Sequence, residues 1–233
     1  MKKVGQNQSL VELVLNRLRD DIVFAFYQPG QKLNIESLKK RYEVGGTPVR
    51  EALNRLVVLG LVEALPLKGF RVNSVTIEYA KDLLKNRTWV ESLMIQQALE
   101  CADDMWESLC VAALHRLKRC QQAIDFTVVE DLQKWVKLSQ DFMQQLFRAQ
   151  GSFWLSKIYT DLYLHVMRYE YRLLITCKQP EQLVLAQYFA YNNLLNHCLD
   201  RQTQVAQQEL SDYVASLADL YVASFTVEED GFD

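Results

Sequence analysis

The 233-residue chain lacks the features that mark membrane, secreted and disordered proteins. It has no run of about eighteen apolar residues, which excludes a membrane-spanning helix. Two lysines near the N-terminus are followed by polar residues rather than an apolar segment, which excludes a secretory signal. The hydrophobic content of 49% is too high for a disordered chain. We therefore expect a globular, cytoplasmic protein with no membrane partner.

Cysteine and histidine are scarce and scattered. The five cysteines show no C-x-x-C spacing, so we expect reduced core residues rather than disulfides at Cys101, Cys110, Cys120, Cys177 and Cys198. No two histidines lie at ligand spacing, which favours structural roles for His115, His165 and His197. No Ser-His-Asp, Cys-His or paired-carboxylate arrangement is present either. The sequence therefore predicts neither an enzyme nor a bound cofactor.

Proline and glycine are rare after residue 75, where Pro180 is the only proline. Apolar residues in this part follow helical spacing, without the alternation of a strand. Gly151-Ser152 and the segment before Pro180 are the clearest breaks. The predicted helices span residues 76–101, 103–124, 129–150, 153–175, 181–200 and 203–225. We expect an all-α domain over residues 76–233.

Residues 1–75 have a different pattern, with two short helices around a glycine pair. Ile35 to Tyr42 has helical spacing, and Gly45 and Gly46 then break that helix. A second helix opens at Thr47-Pro48, where we expect the Thr47 side chain to cap the free backbone N–H groups. Its inward face consists of Val49, Ala52, Leu53 and Leu56. Its outward face consists of Thr47, Arg50, Glu51 and Asn54. This is the pattern of a helix-turn-helix.

A β-hairpin is expected directly after the second helix. Gly60 ends the helix, and two short runs follow over residues 61–65 and 69–73. Pro66, Leu67 and Lys68 join the runs with turn-forming chemistry. The fold prediction is a mainly α protein with an N-terminal winged helix-turn-helix DNA-binding domain over residues 1–75, followed by a helical bundle.

The segments Thr47 to Leu53, Leu59 to Val62 and Lys68 to Val72 resemble the GntR family of bacterial transcription regulators. Their sequences here are T-P-V-R-E-A-L, L-G-L-V and K-G-F-R-V, and the likeness covers residues 9 to 75 or so. The chain departs from the family at Gly45-Gly46, where Ser-Arg is usual. The serine would cap the helix and the arginine often reaches phosphate or a guanine edge, so their loss weakens the expectation of tight DNA binding.

Charge is distributed unevenly along the chain. The formal net charge is −3, but residues 1–75 carry +5 and the remainder −8. A basic head and an acidic body support DNA binding by the head. For Lys39, Lys40 and Arg41 we prefer phosphate contact over a merely solvated helix face. The residues expected at the DNA are Lys39, Lys40, Arg41, Gly45, Gly46, Thr47, Pro48, Arg50, Lys68 and Gly69.

The second domain resembles, less closely, the ligand-binding domain of the FCD subgroup of that family. The resemblance rests on R-x-x-x-E from Arg87, F-x-x-x-L from Phe142, A-x-G from Ala149 and the lengths of the closing helices. It implies an effector-binding bundle that usually holds a metal through an Asp and three His. Those positions fall here at Ser139, Met143, Asn192 and Tyr213, which are poor ligands for a divalent metal. We therefore expect a bundle without the metal.

The same four residues and Arg87 form the expected effector pocket. Met143 and Tyr213 add apolar volume, so the cavity is either partly self-filled or suited to a more apolar effector such as an acyl compound or aromatic acid. Arg87 could pair with an effector carboxylate through its planar guanidinium. An ion pair with Glu91, one helical turn away, is an equal alternative.

Two functions remain open from the sequence. The first is a homodimeric transcriptional repressor that binds a pseudo-palindromic operator in double-stranded DNA, with a small-molecule effector changing the spacing of its two heads. The second is a ligand-binding or protein-interaction module whose head has weakened or lost DNA binding, as Gly45-Gly46 would allow. Binding to operator DNA that weakens with salt separates the two.

Overall fold

The structure, a computed structural model, describes residues 9–229, without the side chains of residues 222–229. Lys2 and Lys3, which contribute to the basic charge of the first domain, lie outside the described residues. The chain divides between Val75 and Thr76 into two compact units, which we call the head and the bundle. The predicted fold class is confirmed, because the head is a winged helix-turn-helix and the described part of the bundle is all-α.

The head opens with helix α1 (Leu10–Val23), which had no counterpart among the predicted elements. Ser9 caps it by accepting a hydrogen bond from the backbone N–H of Glu12 at 3.2 Å. The buried residues Val14 and Leu18 lie on the face that packs against the second helix of the helix-turn-helix. This contact holds the recognition helix on the head.

The helix-turn-helix consists of α2 (Ile35–Tyr42) and α3 (Gly46–Val58). Helix α2 ends where Glu43 adopts a left-handed backbone with φ of 57°. Gly45 is the N-cap of α3, and no side chain caps this helix. The predicted Thr47 cap is wrong, because the N-cap lies two residues earlier at Gly45, and Thr47 falls inside the first turn of α3. The predicted apolar face of α3 is confirmed by the burial of Val49, Ala52, Leu53 and Leu56.

The wing is an antiparallel hairpin of β2 (Val62–Leu65) and β3 (Gly69–Val72), close to the predicted bounds. Val62 lies opposite Val72. A third strand, β1 (Lys32–Leu33), pairs with the other edge of β3. With only two residues, β1 shows no alternation from which a strand could be predicted.

The bundle contains helices that match the predicted spans to within a few residues, with one exception. They are α4 (Ile77–Glu100), α5 (Asp104–Ala123), α6 (Val129–Leu146), α7 (Phe153–Thr176), α8 (Pro180–Leu199) and α9 (Thr203–Glu229). Thr76, Asp103 and Ser152 cap three of them by accepting backbone hydrogen bonds. These polar residues precede apolar helical patterns, which is why the starts were predictable.

The exception is the helix predicted over residues 129–150. Helix α6 ends at Leu146, and Arg148–Gln150 form a separate 3₁₀ turn. Gly151 follows with a φ of 67°, and the Gln150 side chain accepts a hydrogen bond from the backbone N–H of Ser152 at 2.8 Å. This buried side-chain contact closes the turn, and apolar periodicity carries no signal of it.

The core holds most of the cysteines, as predicted, but not all. Cys110, Cys120 and Cys198 are buried and Cys177 is half-buried, whereas Cys101 is exposed. The prediction was wrong for Cys101 because it is the residue that follows the last turn of α4 and leaves the packed face. Within residues 9–229, none of the helices combines the length and the hydropathy needed to cross a membrane.

Candidate DNA-binding surface and effector pocket

Helix α3 presents a polar face opposite its buried one. Arg50 is exposed on this face and makes no ion pair or hydrogen bond with the described residues. Glu51 and Arg55 are paired one turn apart, with 2.8 Å between Oε1 and Nη2. Thr47 and Asn54 are also exposed. Among the charged side chains of α3, Arg50 is therefore the one whose donors are free for a partner outside the head.

The basic run of α2 is partly engaged within the head. The Lys39 ammonium lies 2.8 Å from Glu36. Arg41 donates through Nε and Nη2 to the Asp21 carboxylate and lies over the Phe26 ring at 3.6 Å. The hydrogen bond to Asp21 raises the pKa of Arg41. Arg41 thus fastens α2 to α1, and Lys40 is the member of the run that is exposed without such a partner among the described residues.

The two glycines before the recognition helix are not required by the backbone. Gly45 has an extended conformation, with φ of −71° and ψ of 169°, which any residue adopts. A Cβ atom on Gly45 would meet only Pro48 Cδ at 4.0 Å, and one on Gly46 only Lys39 Cδ at 3.8 Å. Side chains therefore fit at both positions, and the glycines reflect a loss of side-chain chemistry rather than a steric need.

The tip of the wing is exposed and conformationally constrained. Lys68 donates its backbone N–H to Leu65 O at 3.0 Å, which closes a turn around Pro66 and Leu67. Leu67 has a φ of 61° and is fully exposed, and Gly69 has a φ of 87°. Lys68 itself is exposed. The tip can present a cation and an apolar side chain to a DNA groove.

The centre of the bundle holds a buried ion cluster. Arg87 Nε donates to both carboxylate oxygens of Glu91 at 3.1 Å, so the predicted ion pair is present. Arg87 Nη1 also donates to Oε1 of Glu170 at 3.1 Å. Arg87 and Glu91 are completely buried, and Glu170 is 6% exposed. Two carboxylates therefore share one guanidinium in the core, and such a cluster is costly unless its charges are balanced.

Burial changes the protonation of these carboxyl groups. It raises the pKa of Glu91 to about 7, although the charge of Arg87 opposes the rise. Burial raises the pKa of Glu170 as well, against the same guanidinium and the nearby Gln187 amide. Both shifts originate mainly in burial, which penalises the ionised carboxylate by more than the one guanidinium stabilises it.

Tyrosines and unpaired polar atoms surround the cluster. The Arg87 guanidinium carbon lies 5.7 Å from the ring centroids of both Tyr163 and Tyr213. Burial raises the pKa of the Tyr159 and Tyr163 hydroxyls well above the ordinary value. Those hydroxyls, Ser139 Oγ and Arg87 Nη2 have no hydrogen-bond partner among the described side chains. The interior thus offers hydrogen-bonding groups in excess of its own needs.

The positions that correspond to the family's metal ligands do not suit a divalent cation. Ser139 and Met143 are completely buried and offer a hydroxyl and a thioether. Tyr213 packs against Tyr191 with ring centroids 5.5 Å apart. Among the described residues no group of three or more His, Cys, Asp and Glu side chains could hold a metal ion.

Helix α8 turns a different residue inward from the predicted one. Asn192 is half-buried, whereas Tyr191 is fully buried, stacks on Phe142 at 5.0 Å and accepts a hydrogen bond from Gln187. The fully buried position of α8 is therefore Tyr191 rather than Asn192. The cause is the register of α8, which sequence alone had placed only to within a residue.

A cavity of about 210 Å³ lies beside the cluster. Its walls come from α6, α7, α8 and α9 and include Glu170, Gln187 and Tyr213. Of the predicted pocket residues, Tyr213 lines it, while Arg87, Ser139 and Met143 are not among its lining residues. Glu170 and Gln187 were missed by sequence reasoning, because no short-range spacing links them to Arg87.

Comparison with known families covers both units. The model of bacterial regulatory proteins of the gntR family matches residues 10–72, and that of the FCD domain matches residues 82–216. The uncharacterized HTH-type transcriptional regulator BphR of Paraburkholderia xenovorans is 31% identical over 213 residues, which cover 91% of this chain and 86% of that protein. The HTH-type transcriptional repressor GlaR of Escherichia coli is 30% identical over 66% of this chain and 69% of its own length.

Solved structures have the same architecture. McbR/YncC of E. coli superposes with a TM-score of 0.79 at 19% identity, over 93% of this chain and 99% of that one. A putative GntR regulator from Rhodococcus sp. RHA1 gives a TM-score of 0.70 at 19% identity, over 91% and 97%. BphR and GlaR are named as transcriptional regulators, and the gntR model describes bacterial regulatory proteins, so the prediction of a regulator rather than an enzyme is confirmed. The chain therefore belongs to the GntR family of bacterial transcriptional regulators and carries an FCD effector-binding domain.

Proposed function

We propose that the protein is a homodimeric repressor whose affinity for its operator is set by a small molecule bound in the bundle. The observation that carries the proposal is the exposed, unpaired Arg50 on the polar face of α3, whose opposite face is fully buried. A helix held in this way can enter the major groove and present Arg50 to a guanine edge or a phosphate. Two relatives, GlaR and RspR of E. coli, are named as repressors.

The operator is a pseudo-palindrome of double-stranded DNA. A two-fold dimer presents two recognition helices, so its half-sites are separated by about one helical turn. Lys40 and Lys68 are exposed and contact phosphates. Lys39 and Arg41 also contact phosphates once their ion pairs with Glu36 and Asp21 are broken. Gly45, Gly46, Thr47 and Pro48 bring the start of α3, where backbone N–H groups are free, towards the phosphates. Gly69 lets the wing backbone approach a groove.

The dimer forms through apolar side chains that the bundle leaves exposed. Trp89 and Leu93 lie one turn apart on α4 and are 61% and 42% exposed. Trp154 and Ile158 form a similar pair on α7, at 68% and 48%. Large apolar side chains at such spacing mark a contact surface, and a second copy supplies the partner that a palindromic operator requires.

The effector binds without a metal. The donors at Ser139, Met143, Tyr191 and Tyr213 do not suit a divalent cation, and the unpaired polar atoms near Arg87 suit an organic ligand. The dimer has one form that can bind the operator and one that cannot. An effector that binds one form more tightly changes operator affinity, at most by the ratio of its affinities for the two forms.

The test is an electrophoretic gel shift with the DNA upstream of the protein's own gene, over a series of salt concentrations and with excess unrelated competitor DNA. A repressor of this kind binds specifically, and its affinity falls steeply with salt because counterions are released. Absence of binding at low salt would overturn the proposal and favour the second candidate, a ligand-binding module whose head has lost DNA binding through Gly45-Gly46.

A further inference from the structure

The cavity beside the buried cluster has an apolar body and one polar end. Apolar side chains form most of its surface, among them leucines from three helices at Leu173, Leu183 and Leu217. Its volume of about 210 Å³ is below the roughly 300 to 1,000 Å³ of sites for drug-sized ligands. The cavity therefore fits a compact, largely apolar molecule with a short polar group.

The polar end carries an acceptor without a donor. Glu170 lines the cavity and is 6% exposed. Its Oε1 accepts from Arg87, whereas its Oε2 meets no donor in hydrogen-bond geometry among the described residues, although the Gln187 amide lies near enough to lower the pKa of Glu170. A buried carboxylate oxygen without a donor is costly, so this atom favours a ligand that donates a hydrogen bond.

All charged residues that line the cavity are acidic. Glu209 and Asp212 on α9 join Glu170, and the lining residues include no lysine or arginine. Deeper in the core, Arg87 is shared by Glu170 and Glu91, so the cluster has one excess negative charge when both carboxyls are ionised. Coulomb interactions are strong in this low-dielectric interior, so the cavity repels anions and attracts cations.

We propose that the effector is a small amphipathic amine, whose ammonium group donates to Glu170 and whose apolar body fills the leucine-lined cavity. This inference rests on the proposed effector-controlled function and names the ligand class for its site. It departs from the expectation that Arg87 binds an effector carboxylate, because Arg87 is held by two carboxylates and does not line the cavity. A cationic ligand would supply the positive charge that the cluster lacks.

The test compares ligands that share a body and differ in charge. Two series are used, with 2-phenylethyl and n-octyl bodies, each as the primary amine, the alcohol and the carboxylate. All four tryptophans lie in the bundle, so thermal unfolding of the full-length protein followed by tryptophan fluorescence reports on this unit. At least one amine should raise the melting temperature. Its affinity should be at least about tenfold higher than the affinities of the alcohol and the carboxylate with the same body. Equal or tighter binding of the carboxylates or alcohols, or no binding by either amine, overturns the proposal.

Two variants locate the ligand. Glu170→Gln should weaken the amine at least about tenfold and leave the alcohol unchanged, whereas Glu181→Gln, an exposed acid outside the cavity, should change neither. Ala190 lines the cavity and is half-buried, so Ala190→Phe should block every ligand without removing a core side chain. If Glu170→Gln does not fold, the charge comparison in the native protein and the loss of binding in Ala190→Phe decide the proposal. Unchanged amine binding in Ala190→Phe contradicts it.

Operator binding is measured in parallel by gel shift. If the protein binds its operator but no amine, the proposed ligand class is overturned and the proposed repressor function still stands. Amine binding without operator binding supports the ligand class and overturns the proposed function. Amine binding that leaves operator affinity unchanged overturns the amine as the effector.

Discussion

Of the two carboxylate partners of Arg87, only one could be predicted from the sequence. Its ion pair with Glu91 follows from i, i+4 spacing on one helix, which is visible in the sequence. Its second partner, Glu170, lies 83 residues further along the chain and was not predicted. That partner changes the chemistry, because a balanced pair becomes a cluster with an excess carboxylate.

The pH dependence of the bundle follows from this cluster. Between the ordinary carboxyl pKa of 4.5 and about 7, Glu91 in the folded bundle retains a proton that the unfolded chain has released. The free energy of unfolding should therefore fall as pH rises through this interval, by on the order of 1 to 3 kcal/mol, and level off above it. Glu91→Gln should flatten the decline, with Glu170 responsible for what remains. Thermal unfolding followed by tryptophan fluorescence from pH 4.5 to 8 measures this.

The control for that prediction is Glu100→Gln, which alters an exposed carboxyl on the same helix and should keep the native slope. Stability that stays level or rises between pH 5 and 7 in the native protein would show that Glu91 is ionised in this range, and that Arg87 outweighs burial.

Arg50 provides the prediction for the head. Because it is exposed and unpaired, Arg50→Ala should leave the folded state unchanged and weaken operator binding by about 1 to 3 kcal/mol if the side chain reads a base. Fluorescence anisotropy with labelled operator measures the loss. Arg119→Ala removes the same charge from an exposed site on the bundle and serves as the control. Equal affinities for the two variants would show that Arg50 does not contact DNA.

At the scale of elements, the turn between α2 and α3 is the least conventional part of the head. Glu43 in a left-handed conformation ends α2. Gly45 is the N-cap of α3 and offers no side chain to cap the helix. The glycine pair suggested a break at its own position, but the left-handed residue comes two positions earlier. The glycine pair in the sequence showed where the turn lies. Backbone hydrogen bonding in the folded head decided that Glu43 takes the left-handed conformation.

Restoring the usual family residues at this turn should strengthen the head. Gly45→Ser supplies an N-cap hydroxyl and should stabilise α3 by a few tenths of a kcal/mol, seen as slower hydrogen exchange of its amides. Gly45→Ala is the control, since it removes glycine without adding a cap, and it should not stabilise the helix. Faster exchange in Gly45→Ser would contradict the assignment of Gly45 as the N-cap.

Gly46→Arg should act on DNA affinity. The space beside Lys39 accepts a side chain, so the added guanidinium can reach a phosphate. Operator affinity should rise, and the slope of log K against log salt should steepen by about 0.9 for one added phosphate contact. Gly46→Gln, with similar length and no charge, should leave the slope unchanged. The same slope in both variants would place residue 46 away from the phosphates.

At the scale of the whole molecule, the proposed function requires a second copy of the chain. Trp89→Glu places a charge in the exposed apolar pair on α4 and should shift the protein towards the monomer, measured by sedimentation velocity over a concentration series. Met105→Glu alters an equally exposed apolar residue on α5 and is the control. A dimer that persists in Trp89→Glu at the native dissociation constant would place the contact elsewhere.

Metal independence is also expected of the whole protein. Since the donors in the bundle do not suit a divalent cation, a chelator or added zinc should leave the melting temperature nearly unchanged. Elemental analysis should find no stoichiometric metal. One metal per chain, lost together with a clear drop in melting temperature, would contradict the expectation.

The sequence by itself determined the fold class and the identity of the recognition helix. Both depend on local features, namely helical spacing, capping residues and turn-forming residues. The apolar spacing from Val49 to Leu56, for example, defines the buried face of α3 within about two helical turns. Tertiary structure alone decided the content of the bundle interior. The meeting of Arg87 with Glu170, the inward turn of Tyr191 and the acidic lining of the cavity depend on how distant helices pack, and no short-range pattern encodes that packing.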